Sequence, residues 1–127
     1  MLRHKIGIAR RLLPVWLLAG ATVLGCRPSG TGPATVELVA RAPERGNWSP
    51  QTIRVTRGRQ VTIVIRNTDV VTHGFYLPAL DLHVSEIKPG DVARVSFTPD
   101  AVGEFPFYCS VWCGDYHLHM RGKLIVE

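Results

Sequence analysis

Residues 51–69 read Gln-Thr-Ile-Arg-Val-Thr-Arg-Gly-Arg-Gln-Val-Thr-Ile-Val-Ile-Arg-Asn-Thr-Asp. In Gln60–Arg66, Val61, Ile63 and Ile65 fall at every second position and face inward. That is the period of a strand with one face on a core. Gln51–Thr56 repeats the pattern with Ile53 and Val55, and Arg57-Gly58 between the two runs reads as a turn. Asn67-Thr68-Asp69 is turn chemistry again. Outward from this stretch, further short runs carry strand character: Thr35–Ala40, Val84–Ile87, Ala93–Phe97, Glu104–Tyr108 and Lys123–Val126. Pro89-Gly90 and Pro99-Asp100 break the chain between them. No segment offers a long amphipathic helix, and no repeat or low-complexity run occurs. Many short strands at near-regular spacing predict an all-β, Greek-key β-sandwich.

The chain has 127 residues, 46% hydrophobic and 20% charged, which suits one globular domain. Its net charge of +5 owes most to the N-terminus, where Arg3, Lys5, Arg10 and Arg11 meet no acid before residue 26. Without those four, 11 basic residues face 10 acidic ones. A nucleic-acid binder keeps a basic stripe on its folded part. None is visible, so nucleic acid is excluded as a partner.

The basic start and the apolar run Leu12–Gly25 form a targeting segment of signal-peptide length. Its end, Val23-Leu24-Gly25-Cys26, resembles the lipobox of bacterial lipoproteins. That resemblance implies cleavage before Cys26 and lipidation of its sulfur. An uncleaved anchor helix is the competing reading, and Arg10-Arg11 raises a twin-arginine signal that its flanks fit poorly. All three place residues 27–127 outside the cytoplasm, on the periplasmic or extracellular side and tethered to the membrane. The expected organisation is a targeting segment over 1–25, lipid attachment and a Gly/Pro/Ser tether over 26–34, and one domain over 35–127.

The chemistry concentrates in residues 109–120, Cys-Ser-Val-Trp-Cys-Gly-Asp-Tyr-His-Leu-His-Met. Two thiols, an imidazole and a thioether, at Cys109, Cys113, His117 and Met120, are soft to borderline donors. They suit copper better than magnesium or calcium, which take oxygen. Steps of four, four and three also describe one face of a helix carrying core Cys and Met. Against that, the stretch is short, lies between β runs and contains Gly114. A Cys109–Cys113 disulfide in an oxidising compartment and a structural zinc site are further readings. His73, after a strand and a turn, offers an imidazole from a separate element, since loops converge at the end of a sandwich.

The pattern Cys-x3-Cys-x3-His-x2-Met, preceded by His73-Gly74-Phe75, resembles the CuA domain, a cupredoxin-like fold. That domain is found in cytochrome c oxidase subunit II and in the C-terminal part of nitrous oxide reductase. The resemblance extends over residues 35–127 and includes Trp48-Ser49-Pro50, Lys88-Pro89-Gly90 and the closing run Met120–Val126. It implies that Cys109 and Cys113 bridge two copper ions, with His73 on one and His117 on the other. Met120 is then a weak axial ligand to one ion and the backbone carbonyl of Val111 to the other. A mononuclear blue-copper site needs one cysteine, two histidines and a long methionine contact, so the second cysteine is surplus to it. Spreading one electron over two coppers and two sulfurs keeps rearrangement small.

The implied function is copper-dependent electron transfer. The donor is a cytochrome c-like protein and the acceptor a terminal oxidase or related reductase; the domain is not catalytic alone. A copper-delivery lipoprotein without redox duty is the alternative, and a structural β-domain with a disulfide the third. Among flanking residues, Trp112 either covers the site and faces a partner or packs. Asp115 and Tyr116 either orient ligands or are solvated. His119 is expected to point outward, His83 to be a strand residue, and Trp48 to lie in the core.

Overall fold

The computed structural model describes residues 32–127. The targeting segment expected over 1–25, and Cys26 with most of the tether expected over 26–34, lie outside them. Nine strands occur among the described residues: β1 Ala34–Ala40, β2 Trp48–Ser49, β3 Thr52–Val55, β4 Val61–Asn67, β5 His73–Leu77, β6 Leu82–Ile87, β7 Val92–Phe97, β8 Gly103–Tyr108 and β9 Arg121–Val126. They form a four-stranded sheet in the order β2-β1-β4-β7 and a five-stranded sheet in the order β3-β9-β8-β5-β6. Three single-turn 3-10 helices are the only helical pieces among these residues. The expected all-β sandwich is the observed one. Its chain path crosses between sheets: β5 and β6 leave the first sheet, and β7 returns beside β4.

The alternation that predicted β4 is what buries it. Val61, Ile63 and Ile65 are fully buried, as are Leu38 and Ala40 from β1. The facing sheet contributes Ile53, Leu77, Ile87, Phe107 and Leu124. Interleaving the inner faces of two sheets in this way makes a sandwich core. At one end of it Trp48 meets Phe75 and Phe107 edge-on, each at 6.1 Å between ring centres, and the two Phe rings lie 5.4 Å apart. Such pairs add about 0.5–1.5 kcal/mol each beyond the area they bury.

Two strands have no counterpart in the sequence reading. β2 is only two residues long. β5 reads buried at His73, Gly74, Phe75 and Leu77, so it shows no alternation. It lies between β8 and β6, and the chain around Ser110 covers its second face. A Cβ on Gly74 would run into Ser110 Oγ and approach Ser85 O at 3.1 Å, so glycine is what permits that covering. Pro106 sits inside β8, yet β8 pairs with β5 only at Tyr108, so its missing N–H breaks no extended ladder.

Candidate metal centre

Residues 109–120 are a loop, not a helix. It leaves β8 at Tyr108 and rejoins the sheet at Arg121, two residues that face each other in the β8–β9 pairing. Its base is closed by Cys109 N–H donating to Met120 O at 3.0 Å. Gly114, at φ +118°, takes a backbone conformation that side chains resist. A 3-10 turn over His117–His119 then brings the chain back. The helical reading of the four-four-three spacing is therefore overturned. β8 and β9 are already paired, so the loop between them must double back on itself.

Doubling back gathers the donors. Cys109 and Cys113 are free thiols, both buried, and Met120 and His73 are fully buried. Ligand atoms of His73, Cys109 and Cys113 all lie within 4.8 Å of one another. His73 Nδ1 lies 3.6 Å from Cys109 Sγ, and His117 Nδ1 lies 3.4 Å from Cys113 Sγ. The carbonyl of Val111 is 3.1 Å from Cys109 Sγ. Met120 lines a cavity of about 210 Å³ together with Cys109 and His117. All six residues named from sequence thus converge at one end of the sandwich.

The remaining residues divide cleanly. Trp112 is 70% exposed and tilts onto the His117 ring at 5.4 Å. Tyr116 and Leu118 are exposed beside it. His119 is exposed, as expected. His83 is an exposed residue of β6 whose Nε2 lies 3.2 Å from Ser110 Oγ. Trp48 is core, at 2% exposure. Sequence reasoning passed over Asp69, treating it only as a turn residue. Its Oδ2 lies 2.9 Å from His73 Nε2. The acid four residues before a candidate histidine was the signal that could have found it.

The electrostatics separate the two thiols. Burial works against ionising Cys109, but the hydrogen bond with His73 and the Gly74 N–H stabilise its thiolate, and its pKa is lowered. Burial, and then the neighbouring Cys109 charge, push Cys113 up to about 12. His73 is raised; burial opposes its charged form, but hydrogen bonds to Cys109 and Asp69 outweigh it. In the metal-free protein one thiolate is therefore expected to form below the free-cysteine range of about 8.5. The second should form only at the alkaline extreme. Ultraviolet thiolate absorbance during a pH titration checks this. Cys109→Ser should remove the early step and Cys113→Ser should leave it; the reverse would contradict the electrostatic assignment.

The donor set fits a thiophilic ion. With bonds of about 2.3 Å to sulfur and about 2.0 Å to nitrogen, two tetrahedral ligands of one ion stand about 3.5 Å apart. Both sulfur–imidazole pairs have that separation without rearrangement. The buried thioether of Met120 at the same cavity favours copper over structural zinc, which takes nitrogen, thiolate and carboxylate.

Comparisons with known proteins agree with this geometry. A family model described as a cupredoxin-like domain matches residues 15–126. The nitrous-oxide reductase of Ralstonia nicotianae is 36% identical over 96 residues, covering 73% of this chain and 14% of that one. The chain thus spans a small part of that relative. Cytochrome c oxidase subunit 2 of Thermus thermophilus is 32% identical over 97 residues, covering 76% of this chain and 70% of that one. Among solved structures, a heme-copper terminal oxidase dimer matches with a TM-score of 0.63 at 27% identity, over 74% of this chain and 65% of that one.

Proposed function

We propose, since the chain belongs to the cupredoxin-like domain family, that it is an electron-transfer domain holding a binuclear CuA-type copper centre. The observation that carries this reading is the pairing of each sulfur with its own imidazole, Cys109 with His73 and Cys113 with His117. A mononuclear site has no use for the second thiol. Cys109 and Cys113 would bridge two ions, with His73 and His117 each holding one. Met120 and the Val111 carbonyl would be the weak ligands. Bound copper supplies a one-electron couple.

The protein's part is to hold those donors still and dry. His73, Cys109, Cys113 and Met120 are buried, and three of the four sit at the ends of paired strands or within one. A fixed donor set limits rearrangement when charge changes. The same burial argues against copper delivery, which needs an exposed and adaptable site. Trp112, Tyr116 and Leu118 offer an apolar surface beside His117 for a cytochrome c-like donor. The acceptor would be a terminal oxidase or related reductase, since such proteins are among the relatives.

Copper analysis and electron paramagnetic resonance of the reconstituted domain test the centre. The expected ratio is about two ions per chain with one unpaired electron shared between them, where a blue-copper site would give about one. A ratio near one with a single-copper spectrum would sink the binuclear reading.

Attachment is proposed through Cys26, which follows an apolar stretch and precedes a Gly/Pro/Ser tether. More than one acyl chain is needed for durable membrane binding. Mass spectrometry of membrane-extracted protein should find a chain beginning at Cys26 with added lipid. Intact residues 1–25 would point to an uncleaved anchor instead.

A further inference from the structure

The His73 ring is fully buried and has two nitrogens with different neighbours. Nδ1 faces Cys109, and Nε2 faces Asp69 Oδ2 at 2.9 Å. The Asp69 side chain is itself only 5% exposed. A carboxylate is costly to bury without a partner. Among the described residues its ion-pair partner is His73.

Asp69 is placed by Asn67. That amide is 2% exposed and donates to Val71 O at 2.7 Å and to Ile87 O at 2.8 Å. Its Oδ1 accepts from Asp69 N–H at 2.9 Å, and Asp69 Oδ1 accepts from Val70 N–H at 2.7 Å. The Asn67 side chain therefore ties the turn to β6. The second oxygen of Asp69 is left for the His73 ring and is not needed to close the turn. A carboxylate on one imidazole nitrogen sets which nitrogen carries the proton and how the ring is turned.

We propose that Asp69, seated by Asn67, is a positioning residue that holds the proton of His73 on Nε2 and aims Nδ1 at the sulfur pair. Its effect on a bound metal rests on the copper reading above, but its hold on His73 does not. The carboxylate keeps the ring from turning over during loading. Its buried negative charge also favours the more positive state of whatever ion the sulfurs hold.

The test has two arms, on wild type, Asp69→Ala and the near-isosteric Asp69→Asn, which serves if the alanine variant does not fold. In the metal-free protein, nitrogen-15 NMR of the His73 ring should show an Nε2–H proton that exchanges slowly. That protection should vanish in Asp69→Ala and weaken in Asp69→Asn, where one carbonyl must serve both Val70 N–H and the ring. In the copper-loaded protein, both variants should bind copper about 10- to 100-fold more weakly and show a raised reduction potential. A wild-type ring protonated only at Nδ1 would overturn the proposal. So would variants that lose thermal stability while the ring proton, affinity and potential stay as in wild type. If wild type took up no copper, the copper reading would fall, and the metal-free arm would still decide the role of Asp69.

Discussion

In the proposed binuclear centre, Cys113→Ser is expected to lower copper content from about two ions per chain to one or fewer, and to replace the shared-electron spectrum by a single-copper one. The reason is geometric. Cys113 Sγ stands 3.4 Å from His117 Nδ1 and within ligand-sharing distance of Cys109 and His73. A serine hydroxyl is a hard, protonated oxygen and bridges copper poorly. The change conserves volume closely, so the metal-free fold should survive, and loss of copper can be read as loss of a ligand. Cys109→Ser should do as much damage, because in the proposed centre that sulfur would also bridge both ions, and it lies 3.6 Å from His73 Nδ1. Met120→Leu is the contrasting arm. It is a volume-conserving swap in a fully buried position, and in the proposed centre its thioether would tune the potential more than it held the ion. Copper content should stay near wild type while the potential moves. Equal copper loss in Met120→Leu and Cys113→Ser would mean that the ranking of ligands is wrong.

Where side chains alternate, the fold could be read directly. β3 and β4 follow from Ile53, Val55, Val61, Ile63 and Ile65, each of which is buried. β5 could not be read this way, because neighbours cover both its faces and His73, Gly74 and Phe75 are all inside. The ligand types were legible because Cys109, Cys113, His117 and Met120 crowd into twelve residues. Their helical spacing was ambiguous until the β8–β9 pairing showed that the segment between them must be a loop. The contribution of His73 depended on tertiary structure, since 36 residues separate it from Cys109. Asp69 was hidden for a different reason. Asn67-Thr68-Asp69 is ordinary turn composition, and only the burial of the Asp69 side chain distinguishes it from a solvated acid.

Trp48→Ala is expected to give the largest loss of stability, about 3–5 kcal/mol. Trp48 comes from the two-residue strand β2 at the edge of one sheet and fills the space against rings of the other. It touches Phe75 and Phe107 edge-on and lies 6.3 Å from the His73 ring. Truncation leaves a cavity beneath the metal site, so copper should also be held less well. For a domain of this size each kcal/mol moves the melting temperature by roughly 4–8 °C, so metal-free thermal melts should show the change plainly. Trp48→Phe should cost far less. The indole Nε1 has no hydrogen-bond partner among the described residues, and a buried unpaired donor costs about 1–3 kcal/mol. Removing it offsets part of the lost ring contact. Trp112→Ala sets the scale at the other extreme, because that side chain is 70% exposed. Its loss should change stability by no more than about 0.5 kcal/mol while slowing electron uptake from the proposed donor. Melting temperatures that fell equally in Trp48→Ala and Trp112→Ala would contradict the division between a tryptophan that builds the core beneath the site and one that lies on the surface.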